Sequence, residues 1–202
     1  LERYGSVVVD RPDAQAIWKR TSPALWDDAQ AIFSADKDEE GAGRWKRAPG
    51  LEDAWTMSFQ DVRFICRFSA FRHVGVFPEQ AAHWAWFAER IRSAATSGRK
   101  LKILNLFGYT GIASLVAAAS GAEVTHVDAS KKAIAWAREN QALSGLENKP
   151  IRWICDDAAK FVARETRRGN VYDGIILDPP KYGRGPKGEV WQVMESLPGL
   201  MD

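Results

Sequence analysis

From Leu101 onward the hydrophobic and polar positions alternate between two periods. Ile103 to Phe107 is a short apolar run, Ile112 to Ser120 an Ala-rich helix that Gly121 ends, and Glu123 to Val127 a second apolar run. Lys131 to Leu143 has a helical pattern stopped by Gly145, Ile151 to Cys155 is a third strand, and Ala158 to Arg168 is a helix ended by Gly169. Tyr172 to Leu177 is a fourth strand, which halts at Asp178-Pro179-Pro180. Strands separated by helices in this way predict βαβ units: an α/β, Rossmann-like, mostly parallel sheet with helices on both faces.

The first hundred residues follow a different, mixed pattern. Val7 to Val9 predicts a strand. Ser22-Pro23 reads as an N-cap followed by Pro at the first helical position, which predicts a helix over Ala24 to Phe33. Asp36 to Gly43 is a polar loop, and the basic cluster Arg44, Lys46 and Arg47 follows it, with Trp45 among the cations. Trp55, Met57 and Phe59 alternate, Gln60-Asp61 turns, and Val62, Phe64, Cys66 and Phe68 alternate again, as a hairpin does. A helix from about Pro78 to Ser97, closed by Gly98, carries Trp84, Trp86 and Phe87, which are expected to pack it against the following domain. The chain therefore divides into a small α+β region with a β-hairpin (1–75), a candidate substrate-binding part, and a Rossmann-like domain (76–202).

Composition narrows the class without naming a function. Of 202 residues, 46% are hydrophobic and 27% charged, which excludes a disordered tail, a collagenous rod or a disulfide-stapled miniprotein. Twenty-eight Lys and Arg against 26 Asp and Glu leave a net charge of +2, so nucleic-acid binding is not forced, although local patches can serve it. Cys66 and Cys155 show no metal-ligand spacing and no disulfide framework; both are expected to be buried structural thiols, and a reducing cytoplasm is the expected compartment. No run approaches the roughly 18 apolar residues of a membrane helix, and LERYG lacks the features of a signal peptide.

In a parallel sheet the ligand lies beyond the carboxyl ends of the strands. The first strand ends in Asn105-Leu106-Phe107-Gly108-Tyr109-Thr110-Gly111, where Gly108 permits a sharp turn and the first helical N–H groups can receive an anion. The second ends in Asp128, 20 residues after Gly108, where an acid can accept ribose hydroxyls; the third ends in Asp156-Asp157 and the fourth in Asp178-Pro179-Pro180-Lys181. Each feature has an ordinary structural reading as well: a turn, a helix cap, a strand terminator. Their coincidence on one sheet edge matches an adenosine-containing ligand. Tyr109 stands where a GxGxxG fingerprint needs its second glycine, which counts against a dinucleotide.

The motifs NLFGYTG (105–111), VDAS (127–130), CDDA (155–158) and DPPK (178–181) resemble those of class I S-adenosylmethionine-dependent methyltransferases. FGYTG with DPPKYG, preceded by HVGVFPEQAAHW (73–84), is similar to the bacterial large-subunit ribosomal RNA cytosine-C5 methyltransferases. The resemblance implies that Asn105 and Phe107, Gly108, Tyr109, Thr110 and Gly111 surround the methionine end of the cofactor. It implies that Asp128 and Ala129 meet the ribose, and that Asp156 or Asp157 with the Ala158 amide meets the adenine. Asp178, Pro179 and Lys181 are implied at the methyl-transfer site, and Gln80 reaches the cofactor from the other side or merely caps its helix.

The implied activity is methyl transfer to RNA, above all to cytosine C5 of ribosomal RNA, with amino-group methylation of a base or other substrate at the DPPK elbow as the alternative; Arg44-Trp45-Lys46-Arg47, Lys181, Arg184 and Lys187 are the candidate RNA contacts. Methylation at C5 needs a thiolate adding at C6, and neither cysteine is well placed for that; methylation of a base amino group needs none. An NAD-dependent oxidoreductase and a non-catalytic adenosine-cofactor module are the alternatives of other classes. The resembling class usually has seven strands, of which four are accounted for, so an incomplete catalytic domain with an open sheet edge is expected.

Overall fold

The computed structural model describes residues 1–13, 15–35 and 43–201, which form two compact units. Residues 36–42 of the polar loop lie outside the described residues. The first unit comprises residues 1–57 and 65–77. Its sheet has the order β1 (Glu2–Tyr4), β2 (Val7–Asp10), β3 (Ala31–Ala35), β4 (Gly43–Arg47). β2 and β3 are parallel, and the outer pairs are antiparallel.

Alternation sets burial at the start of β3, whereas three consecutive valines of β2, Val8 included, are buried. Tyr4, Val7, Val9, Ala31 and Phe33 are buried. Trp45 lies beside Phe33 and Phe68, with ring centroids 5.1 and 5.0 Å away, and its indole N–H donates to the Phe71 carbonyl. The predicted helix over Ala24 to Phe33 is not formed. Pro23–Trp26 makes one 3₁₀ turn without a side-chain cap, and the chain then enters β3. Ala31, Ile32 and Phe33 fit the 3.6 period, but alternate burial and five paired positions with β4 satisfy their backbone as a strand.

β5 (Ala54–Phe59) and β6 (Val62–Arg67) form the expected hairpin through Gln60-Asp61. Its turn end, residues 58–64, groups with the second unit, which also holds residues 78–202. There the parallel sheet has the order β10 (Gly174–Leu177), β7 (Lys102–Leu106), β8 (Glu123–Asp128), β9 (Ile151–Cys155). Alternate residues of β7 feed two cores. Ile103 joins Val124, Ile91 of α1 (Ala81–Thr96) and Ala117 and Ala118 of α2 (Ile112–Ala119). Leu104 and Leu106 join Val127 and, from α4 (Ala158–Arg167), Ala158 and Phe161. Burying a side chain such as Phe161 contributes roughly 1.5–3 kcal/mol, so helices on both faces hold this sheet.

α3 (Lys131–Leu143) links β8 to β9. On α1, Trp84 is buried beside Phe59 and Phe87 packs on the first core, as expected. Trp86 is instead 58% exposed, with the Arg90 guanidinium over its ring, because the spacing of three aromatics in four residues cannot place all of them on one face. Val190–Gln192 is β12, paired with β11 (Tyr182–Arg184), and α5 (Val193–Met201) follows.

Candidate functional site

Register brings the strand ends together. Leu177, Leu106, Val127 and Ile154 lie side by side across the sheet, so the residues that follow them form one row: Asp178, Phe107, Asp128 and Cys155-Asp156.

The turn after β7 is unusual in its backbone. Phe107 and Tyr109 have φ values of 55° and 48°, a region costly for large side chains, and Gly111 follows at 79°. Gly108 lies outside that region, which corrects the expectation that it supplies the turn. It is needed for closeness: a Cβ there would run into the His126 ring. Gly111 is equally confined, its Cβ position lying 2.7 Å from the Ala137 methyl.

Asp128 locks this turn. One carboxylate oxygen accepts the Tyr109 N–H and the other the Ser130 N–H, both at 2.8 Å. The cap of α3 is Ser130, whose hydroxyl accepts the Ala133 N–H, so Asp128 is not used as a helix cap. Burial raises its pKa above the ordinary carboxylate value, against the opposing pull of the two N–H groups. Beside it, Asp157 caps α4 through the Lys160 N–H at 2.9 Å. Asp156 accepts the Asp157 N–H and pairs with Arg164. Ala129 turns its carbonyl toward the Cys155 thiol, and Ala158 is buried in the second core.

At the other end of the row, Asp178 accepts a 3.1 Å hydrogen bond from the Gln80 amide. Burial and the negative charge of Glu79 raise its pKa. The elbow itself is pinned: the Pro180 carbonyl accepts the Trp191 indole N–H at 2.8 Å, and the Trp191 ring lies 4.7 Å from that of Phe107. Pro179 is half-buried, while Lys181 is exposed and its carbonyl accepts the Val193 N–H.

A polar layer under the turn escaped the sequence reading. The Asn105 side chain is buried and donates to the Ser114 hydroxyl at 2.9 Å, and Ser114 meets His126 Nδ1 at 3.0 Å. Asn140, also buried, donates to the Thr110 carbonyl. Burial pushes the His126 pKa down to about 3, and its Nε2 has no partner among the described residues. The available signal was weak: single polar residues in an Ala-rich helix and an apolar strand.

The two thiols differ from each other. Cys66 is buried and its thiol is pushed up to about 12, whereas Cys155 is exposed, contrary to expectation, because the pleat at the end of β9 turns it outward. On β4, Arg44 and Lys46 are exposed on one face; Trp45 points to the other and Arg47 pairs with Asp53, so Trp45 is not a stacking platform among cations. Among the described residues no group of three His, Cys, Asp or Glu side chains is placed to hold a metal. No helix among them is long and apolar enough to cross a membrane.

Comparison with known proteins bears on this site. A family model described as S-adenosylmethionine-dependent methyltransferase matches residues 19–198. The crystal structure of an S-adenosylmethionine-dependent methyltransferase from Agrobacterium tumefaciens is 57% identical, with a TM-score of 0.92, over 98% of this chain and 62% of that one. Proteins named ribosomal RNA large subunit methyltransferase K/L are similar too. That of Desulfotalea psychrophila is 31% identical over 74% of this chain, and that of Shewanella baltica 39% over 50%. The chain spans only 19% and 14% of their lengths.

Proposed function

The chain belongs to the S-adenosylmethionine-dependent methyltransferase family, and we propose from that membership that it transfers a methyl group from this cofactor to a base of large-subunit ribosomal RNA. One observation carries the site: four strand ends in register put a closed turn, two acidic corners and a proline elbow in one row.

The residues fit the cofactor. A carboxylate has roughly four acceptor positions, and Asp128 uses one on each oxygen for backbone N–H groups, which leaves room for the two ribose hydroxyls. Phe107 to Gly111 wrap the methionine end, with Asn105 acting from beneath through Ser114. Asp156 or Asp157, with the Ala158 amide, faces the adenine. Asp178 and Pro179 line the methyl-transfer site and Lys181 meets the substrate. The cofactor supplies the electrophilic methyl group; the protein holds the acceptor in line with it and excludes water.

For the acceptor atom we take a base nitrogen, which needs only the Asp178-Pro179-Pro180 elbow, whereas cytosine C5 also needs a thiolate. Cys155 stands three strand spacings from β10, about 14 Å across the sheet, and Cys66 is held as a neutral thiol. C5 chemistry would need a thiolate beyond these two. The names of the relatives support an RNA substrate, and either reaction needs an unpaired or flipped base.

Incubating the full-length protein with labelled S-adenosylmethionine and deproteinised ribosomal RNA tests this reading. Label is expected in large-subunit RNA, on a nitrogen when the modified nucleoside is mapped. Label at C5 would overturn the choice of atom, and no label in RNA would overturn the substrate.

A further inference from the structure

We propose that His83 is a positioning residue for the elbow carboxylate, acting through Gln80. The proposal rests on the reading of Asp178 as part of the methyl-transfer site.

Gln80 precedes α1 in a helical conformation and makes no side-chain cap hydrogen bond. Its carboxamide is engaged at both ends instead: Nε2 donates to Asp178 Oδ2 at 3.1 Å, and Oε1 lies 2.8 Å from His83 Nδ1, one helical turn on. A carboxamide has nearly the same shape either way round, so only its partners decide which end faces Asp178. An ionised carboxylate accepts and cannot donate. Gln80 must then present its N–H to Asp178, which leaves its oxygen facing His83, and that oxygen requires a proton on Nδ1. The chain Nδ1–H to Gln80 and Gln80 to Asp178 thus has a single direction. Glu79 and His83 are the charged or titratable groups that act on Asp178, and the negative Glu79 opposes ionisation. The Gln80 N–H is therefore the donor that holds Asp178 in place as a carboxylate, and His83 keeps that donor turned the right way.

The arrangement has a spectroscopic signature. A histidine without such a partner favours the Nε2–H tautomer, so neutral His83 should be an Nδ1–H imidazole. The chain has three histidines, His73, His83 and His126, which makes nitrogen-15 NMR of the full chain without ligand a direct test. The Nδ1–H form is expected for His83, with reversion to Nε2–H in Gln80→Ala. S-adenosylhomocysteine affinity by calorimetry is the second measurement. His83→Ala should weaken it about 3- to 10-fold, the range of one lost hydrogen bond. His83→Asn, whose amide nitrogen replaces Nδ1, should recover wild-type affinity, and Gln80→Ala combined with His83→Ala should be no worse than Gln80→Ala alone.

An Nε2–H tautomer in the wild type, unchanged by Gln80→Ala, would overturn the proposal, as would unchanged affinity in His83→Ala. Failure of the wild type to bind S-adenosylhomocysteine would instead overturn the cofactor reading, while the tautomer still decides the hydrogen-bond chain.

Discussion

Asp128 ties the Tyr109 and Ser130 amides together and keeps acceptor capacity on the open side. Of the two sequence readings of Asp128, helix cap and ribose acceptor, the structure removes the first, since Ser130 caps α3. Asp128→Ala should reduce cofactor affinity by roughly 1–3 kcal/mol, the scale of a lost polar partner, as measured by calorimetry. Its raised pKa sets a pH window. Ionisation of Asp128 works against the fold as pH rises from the ordinary value of 3.8 through the raised one, yet the ionised form is the better acceptor for a diol. Cofactor affinity should therefore increase with pH across that window in the wild type and stay flatter in Asp128→Asn.

His126 makes the opposite kind of prediction. Its pKa falls from 6.5 to about 3 on folding, so the unfolded chain binds the extra proton. The stability this represents is fully present above 6.5 and is lost as pH falls toward 3. Denaturant titrations at several pH values should show a shallower decline for His126→Phe than for the wild type; parallel curves would show that His126 titrates freely in the fold. Neither the burial of His126 nor its link to Ser114 was legible in the sequence, because one polar residue in an apolar strand has no periodicity to declare it.

At the scale of elements, the β–α alternation after Leu101 was readable nearly to the residue. Each strand there is an apolar run bounded by glycine or an acid, and the glycines after α2, α3 and α4 have the positive φ that ends a helix. The segment over Ala24 to Phe33 was misread because Ala, Ile and Phe satisfy either period and only the partner strand β4 selects one. At the turn after β7 the glycine singled out in the sequence is required for a different reason from the turn itself: the His126 ring lies beneath Gly108. Gly108→Ala should therefore lower the thermal midpoint and weaken cofactor binding together, with about 1–3 kcal/mol lost in stability from overpacking. A variant as stable as the wild type would show that the ring moves aside freely.

For the whole molecule, the four-stranded sheet and its helices carry the cofactor reading, and the first unit holds the basic residues proposed to meet RNA. Arg44 and Lys46 share the exposed face of β4, suited to phosphates, while Trp45 and Arg47 are engaged in the protein. Arg44→Ala and Lys46→Ala should each weaken RNA binding with little dependence on sequence and reduce the slope of log affinity against log salt by about one. An unchanged salt slope in both would place the RNA elsewhere. The substrate remained the least legible feature of the sequence, since cations in a row say nothing of which face each one takes.

The central claim is that the strand ends of the second unit form one S-adenosylmethionine site, and a crystal structure of the protein with S-adenosylhomocysteine bound tests it most directly. The ribose is predicted on Asp128, the adenine beside Asp156, Asp157 and the Ala158 amide, and the homocysteine end within Phe107 to Gly111 with its sulfur toward Asp178. A ligand seated away from this row, or a ribose with no contact to Asp128, would contradict the account.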